Sequence, residues 1–373
     1  MTRSMWDSVI GQDEVVQSLK NAIATDRLSH AYLFVGPQGL GKIAAARALA
    51  ASVLCKKGGC GTCNVCQRLE RDTYPDFRII EPEGATYLVD QIRTLIHDVT
   101  LAPMEAAHKF YIVKDADLFN DSSANAFLKT LEEPPAHVTI ILSAHSAEAI
   151  LPTILSRCIV MRFKTLPQEE MVARLIERTG CDRSEALIAL ASCSSVIGEA
   201  AQFLQSPARR ASRSAVVRVF RDLVDADDLD VLKMAQELMR NVKGPVEEMA
   251  QKQETDLAAQ AELLDSSAIA KLRKYNDRKR SAYEKQNVNE VLSTLQSLLR
   301  DTLCISQGTD ELVQNVDITD DISGICHTFR PVQIAQVFEQ IAHARKRVRL
   351  NISTQLVIET VLFEIREVLQ CPK

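Results

Sequence analysis

Two short stretches carry the side chains best suited to chemistry. The first is Gly36-Pro37-Gln38-Gly39-Leu40-Gly41-Lys42, a G-x-x-x-x-G-K run that follows the apolar segment Ala31 to Val35 and precedes the helix-prone Ile43 to Arg47. Glycines at 36, 39 and 41 let the backbone curl so that successive N–H groups and a helix N-terminus face a phosphate, while Lys42 reaches its outer oxygens. A nucleotide carried with magnesium also needs a hydroxyl at the next position to ligate the ion. That position is Ile43, which offers none. The second stretch is C-x4-C-x2-C-x2-C, formed by Cys55, Cys60, Cys63 and Cys66, with Gly58, Gly59 and Gly61 supplying tight turns between them. Four soft thiolates at this spacing suit a closed tetrahedral zinc site, and an iron–sulfur cluster takes the same ligands.

A phosphate loop that hydrolyses its nucleotide needs a second set of groups at the end of a later strand: an Asp for the metal and a Glu to polarise water. The matching stretch reads Phe110-Tyr111-Ile112-Val113-Lys114-Asp115-Ala116-Asp117. Lys114 stands where the metal's carboxylate belongs, and Asp115 is one methylene shorter than the usual base. Two separate parts of a magnesium site are therefore missing. Lys114 is expected to pair with Asp117, and His145 to be a satisfied hydrogen-bonding residue, not a base.

The elements that must position these groups follow from apolar patterning. Ala31–Val35, Phe77–Ile80, Phe110–Val113 and Val138–Leu142 read as strands, alternating with helical stretches at Ile43–Leu54, Leu88–Val99 and Ser122–Leu131. This alternation predicts an α/β domain over residues 1–165, a parallel sheet with flanking helices. Strand signals then fade. Gln168–Thr179, Arg183–Cys193 and Gly198–Leu204 read as short amphipathic helices of a small lid domain at 166–208. Residues 209–373 read as an all-α domain, with Pro331–Leu350 and Thr354–Leu369 as its last helices. The stretch Val246–Gln307 holds no Gly or Pro and suggests long helices, placing an extended helical insertion at about 209–290.

At 373 residues with a net charge of -5, the chain is long enough for two or three domains and is no general polyanion binder, so any nucleic-acid contact has to be local. It has no membrane-length apolar run and no signal-peptide pattern, which leads to the expectation of a soluble, intracellular protein.

The run Ser122-Ser123-Ala124-Asn125-Ala126-Phe127-Leu128-Lys129-Thr130-Leu131-Glu132-Glu133-Pro134-Pro135, with Pro152-Thr153-Ile154-Leu155-Ser156-Arg157-Cys158, Val9-Ile10-Gly11-Gln12 and Ser29-His30-Ala31-Tyr32, closely resembles the clamp-loader subunits of bacterial DNA polymerase III. The resemblance spans residues 6 to about 165, and the degraded magnesium positions make the chain look most like the non-hydrolysing delta-prime class; the alternative is an ATP-hydrolysing gamma/tau motor. The resemblance implies an AAA+ domain, a helical collar, and a five-membered hetero-oligomeric ring with gamma/tau and delta subunits that opens a sliding clamp and places it on primer–template DNA. It implies a cytoplasmic replisome subunit near the nucleoid, with no membrane partner. It also implies that Arg157 is an arginine finger acting in trans on a neighbour's ATP, that Gly36, Gly39, Gly41 and Lys42 form a vestigial phosphate loop with doubtful nucleotide binding, and that the cysteines hold structural zinc. The motor class has a Thr sensor where this chain reads Ser143-Ala144-His145-Ser146, and a lid Arg where it has Gly198. The segment Leu350 to Glu359, which includes Asn351, resembles the last collar helix.

Two basic clusters stand outside these motifs. One comprises Lys271, Arg273, Lys274, Arg278, Lys279, Arg280 and Lys285, with Tyr275 and Tyr283 interleaved; the other is Arg345-Lys346-Arg347 with Arg349. Each reads first as a solvated helix face, with phosphate contact or acidic collar partners as the alternatives. The remaining cysteines, Cys158, Cys181, Cys193, Cys304, Cys326 and Cys371, read as buried small hydrophobes.

Overall fold

Five parallel strands organise the first half of the chain: β1 Ala31–Val35, β2 Phe77–Ile80, β3 Lys109–Val113, β4 Val138–Ala144 and β5 Ile159–Arg162, in the sheet order β2-β3-β4-β1-β5. The computed structural model describes residues 4–82, 86–260, 266–325, 331–350 and 352–370. Cys326, Cys371 and Asn351 fall outside them, as does the side chain of Lys271. The chain divides into two compact units, Met1–Glu170 and Met171–Lys373.

In the first unit β1, β3 and β4 are buried along their whole length, as expected of parallel strands covered on both faces. The helices are α1 Asp13–Ala24, α2 Lys42–Leu54, α3 Asn64–Glu70, α4 Val89–Thr100, α5 Asp121–Glu132 and the short α6 Pro152–Leu155. One core, containing Leu19, Phe34, Leu49, Phe77 and Phe110, gathers around α1, α2 and α3. A second, containing Leu33, Leu95, Tyr111, Phe127 and Leu142, gathers around α4 and α5. Register is parallel throughout: Tyr32 lies opposite Ile141 on one side and Ile159 on the other. The expected α/β sheet is present with one strand more than the apolar runs predict. That strand, β5, is an edge whose side chains are only partly covered, with Ile159 48% exposed.

The second unit is helical among its described residues: the last part of α7 Gln168–Thr179, then α8 Arg183–Ser192, α9 Ile197–Gln205, α10 Pro207–Asp222, α11 Asp228–Gln260, α12 Ser266–Ser306, α13 Thr319–Ile325, α14 Pro331–Arg349 and α15 Thr354–Gln370. One apolar core joins α10, α11, α12, α14 and α15 through Val219, Leu238, Leu295, Ile341 and Leu362. Long helices were expected from Val246 onward. Instead α11 runs through Gly244 and Pro245 from Asp228, because buried Val231, Ala235, Leu238 and Val242 hold its first half on that core. The buried Arg213 guanidinium donates to Asp317 and Asn315, and Arg209 forms a two-pronged pair with Glu290. No single helix among the described residues is long and apolar enough to cross a membrane.

Candidate functional site

The phosphate loop sits where its spacing predicts, between the end of β1 and the start of α2. Gly36, Gly39 and Gly41 all have positive φ, at 150°, 85° and 82°. At Gly36 a side chain is excluded outright, since a Cβ would lie 2.5 Å from the carbonyl oxygen of Phe163. Gly41 is the left-handed N-cap of α2, which leaves the first amides of the helix directed into the loop. Lys42, however, turns back on the loop: its Nζ donates to the Gly36 carbonyl and, at 2.8 Å, to that of Pro37. Burial pushes the ammonium below the usual lysine range, with the Asp115 and Asp117 carboxylates pulling the other way. Ile43 is partly buried and packs on the core around α1 to α3.

The end of β3 completes this pole of the sheet. Lys114 pairs with Glu81 at the end of β2, not with Asp117 as the sequence suggests, because the β2–β3 pairing places Glu81 alongside it. Asp117 is taken by His145: the ring Nδ1 lies 3.2 Å from Oδ2, and the His145 amide donates to Oδ1 at 3.3 Å. Burial works against the Asp117 charge, but these His145 contacts outweigh it and hold the carboxyl below the usual carboxylate range. His145 is thus the satisfied residue expected of it. Asp115 adopts a left-handed backbone at φ 48°, its amide donating to the buried Ser143 hydroxyl at 3.3 Å. Buried Tyr87 donates to the carbonyls of Ile80 and Lys114, tying the ends of β2 and β3 together.

Arg157 follows α6 on a turn beside the end of α5. Its Nε donates to Glu132 Oε1 at 2.7 Å, a second nitrogen donates to the same oxygen, and Nη1 donates to the Thr153 carbonyl at 2.7 Å. The pair lines an open concavity with His30, Leu131 and Ser156. Arg157 is 31% exposed, so its guanidinium is held from one side and open on the other. Sequence reasoning missed Glu132 as the partner.

The four cysteines converge at the far end of α2. Their sulfurs all lie within 4.8 Å of one another, with Cys55 to Cys63 at 3.5 Å and Cys55 to Cys60 at 3.8 Å. A tetrahedral ion with metal–sulfur bonds of about 2.3 Å places its ligands about 3.8 Å apart, so the cluster fits one ion. An iron–sulfur cluster would hold the thiolates apart by its own bulk. Gly58, Gly59 and Gly61 take left-handed backbones between the ligands, as predicted. Backbone amides reach the sulfurs: Lys57 N–H to Cys55 at 3.3 Å and Cys66 N–H to Cys63 at 3.5 Å. The amide and hydroxyl of Thr62 bring Cys60 down to about 6, whereas burial pushes Cys66 up. The Met5 amide donates to the Gly59 carbonyl at 2.9 Å, and Trp6 donates to Ser52 on α2, so the N-terminal turn packs over this module.

The other predicted positions are plain. Gly198 lies in the first turn of α9 with open space where a side chain would be. Of the scattered cysteines, Cys193 is buried, whereas Cys158, Cys181 and Cys304 are half-buried and not the fully enclosed hydrophobes expected, lying near helix ends and turns. Arg345 has hydroxyl and amide partners, Ser293 at 3.1 Å and Gln296 at 2.9 Å, in place of acidic ones.

Comparison with known proteins fits this geometry. Residues 11–167 match a family described as "DNA polymerase III, delta subunit", and residues 280–367 match "DNA polymerase III, delta subunit, C terminal", more than half of the chain between them. The chain is 34% identical over 215 residues to the delta-prime subunit of Bacillus subtilis (57% of this chain, 65% of that one) and 36% over 206 residues to that of Pseudomonas aeruginosa (52% and 62%). It is 37% identical over 167 residues to the tau subunit of Salmonella typhimurium, covering 44% of this chain and 26% of that one. The matched stretch thus spans less than two thirds of each of these relatives. With both family matches on one chain and a parallel sheet carrying the phosphate loop, the chain belongs to the DNA polymerase III clamp-loader family of delta-prime and gamma/tau subunits.

Proposed function

We propose that the chain is the non-hydrolysing, delta-prime-type subunit of a clamp loader. In this reading it is a stator in a five-membered ring with gamma/tau and delta subunits, helping to hold the sliding clamp and primer–template DNA in the cytoplasmic replisome. The observation that carries the reading is the phosphate pole. Ile43 and Lys114 fill both magnesium-ligand positions, and Lys42 spends its donors on loop carbonyls. ATP chemistry would then belong to a neighbour, and Arg157 would serve it. A guanidinium presents a planar fork of donors to charge growing on a transferring phosphoryl group, an effect of about 10³–10⁵ in rate in well-studied cases. Glu132 holds that fork until a phosphoryl oxygen of the next subunit replaces it. Cys55, Cys60, Cys63 and Cys66 would hold zinc as a closed structural site, which fixes the chain after α2 and leaves no position for a reacting water.

The test is clamp- and DNA-stimulated ATP hydrolysis by the motor and delta subunits reconstituted with this chain, as wild type and as Arg157→Ala. A fall of tenfold or more, about 1.4 kcal/mol, with assembly intact is expected. Unchanged hydrolysis removes the finger role. Magnesium-dependent turnover by the purified chain would instead establish the gamma/tau-type motor reading.

A further inference from the structure

The α11–α12 hairpin changes character along its length. Near the core its seam is apolar, with Val231, Leu238 and Val242 against Val288, Leu292 and Leu295, and the Asn287 amide donates to the Val242 carbonyl at 3.0 Å. Further out polar side chains predominate around the buried Leu257: Gln253 and Glu254 of α11 face Arg273, Asn276, Asp277 and Arg280 of α12 across a shallow groove. Residues at that spacing occupy one face of a helix, so Lys274, Tyr275, Arg278 and Lys279 lie on the other, and all four are exposed. The two carboxylates between Arg273 and Lys285 are already engaged. Asp277 accepts from Arg280 at 2.8 Å and Glu284 accepts from the Thr354 hydroxyl at 2.8 Å. Lys274, Arg278 and Lys279 form no ion pair among the described residues. An uncompensated basic face, on a chain whose net charge is -5, attracts a polyanion to one place.

We infer that this outer face of α12 binds single-stranded nucleic acid, with Lys274, Arg278 and Lys279 on phosphates and Tyr275, 39% exposed among them, stacking on a base. The aromatic ring selects the occupant: a duplex keeps its bases stacked inside, and an acidic peptide has no base to stack. The inference deepens the DNA-handling part of the proposed function. Its test omits clamp, motor subunits and nucleotide, so it fails or stands separately from the Arg157 experiment.

The experiment is fluorescence anisotropy of a labelled oligo-dT of about 20 nucleotides with the full chain, across a salt series. The wild type should bind the single strand more tightly than a duplex of equal length. Lys274→Gln/Arg278→Gln/Lys279→Gln should lose at least about tenfold and flatten the log–log salt slope by about 2, at about 0.7 per lost phosphate contact. Tyr275→Ala should lose about fivefold or more with the slope unchanged, the signature of stacking. The three basic side chains are exposed and form no ion pair among the described residues, so the triple variant's thermal midpoint should stay put and tie its loss to the surface, while Tyr275→Phe, which keeps the stacking ring, should bind like wild type. Full binding by the triple variant, equal affinity for duplex, or a loss that appears only in Lys346→Gln/Arg347→Gln would overturn the assignment.

Discussion

The phosphate loop at the start of α2 and the thiol cluster at its end are both built from left-handed glycines, yet their functional groups have had opposite fates. At the loop the backbone cradle is intact, but the side chains that would make it chemical face elsewhere: Lys42 to its own carbonyls, Lys114 to Glu81 and Asp117 to His145. At the cluster all four sulfurs point at one another, and backbone amides support them. The loop's backbone shape also carries packing, since Gly36 lies against Phe163 with no room for a side chain.

The contrast is broken most directly at the cluster. Cys60→Ser, or removal of metal by a strong chelator, is expected to abolish binding of one equivalent of zinc and lower the thermal midpoint by about 10 °C or more, since binding at structural sites contributes directly to folding. Metal analysis and calorimetry on the same samples would check this; an unchanged midpoint would make the cysteines plain packing.

Asp76 separates support of the module from the ligands themselves. Its buried carboxylate accepts from the amides of Met104, Glu105 and Ala106 at 2.7, 2.8 and 2.9 Å, and Glu105 in turn holds Arg68 of α3. Burial raises this carboxyl, but the three amides outweigh it and leave it below the usual range. Asp76→Asn should cost about 2 kcal/mol in denaturant unfolding, because an amide cannot accept all three bonds, while zinc content stays unchanged.

At the loop, placing a hydroxyl and a carboxylate with Ile43→Thr/Lys114→Asp is expected to give magnesium-dependent nucleotide binding about tenfold tighter than that of the wild-type chain, equivalent to about 1.4 kcal/mol, as read by calorimetry. An identical isotherm with and without magnesium would mean that the pole has lost more than these two positions.

The smallest effect is expected at Asp117. Its folded carboxyl titrates below the unfolded reference near 3.9, so its contribution is present above about pH 4 and is lost as pH falls through the folded value. Asp117→Asn should lower stability by about 1 kcal/mol or less at pH 7, with the difference shrinking as pH falls below about 4 toward the folded value, as paired melts across that range resolve.

Much of this was legible because the determinants are local. Ala31–Val35 is a continuous apolar run ended by a glycine turn, Phe77–Ile80 is apolar except for Arg78 and is ended by Glu81-Pro82, and both strands have those bounds. Glycine and cysteine spacing alone located both ends of α2. What escaped was set by tertiary pairing. Glu132 meets Arg157 only because α5 and the turn after α6 end side by side, and Glu81 meets Lys114 only because β2 and β3 pair. β5 escaped because a four-residue edge strand with half-exposed side chains carries neither a long apolar run nor clean alternation. Pro245 misled because a proline is a local stop signal, whereas the core residues before it commit α11 to continue.

The position of β1 has a consequence for how the chain is made. Its two neighbours, β4 and β5, lie on the order of a hundred residues later, so at about 5–20 residues per second β1 leaves the ribosome roughly 5–25 s before either can pair with it. Throughout that interval an entirely apolar strand has two open edges. The pairings of β1 thus raise the contact order of the first unit. A nascent chain halted before Arg162 leaves β1 open on one side, which makes that arrest point the place to look for chaperone capture or aggregation.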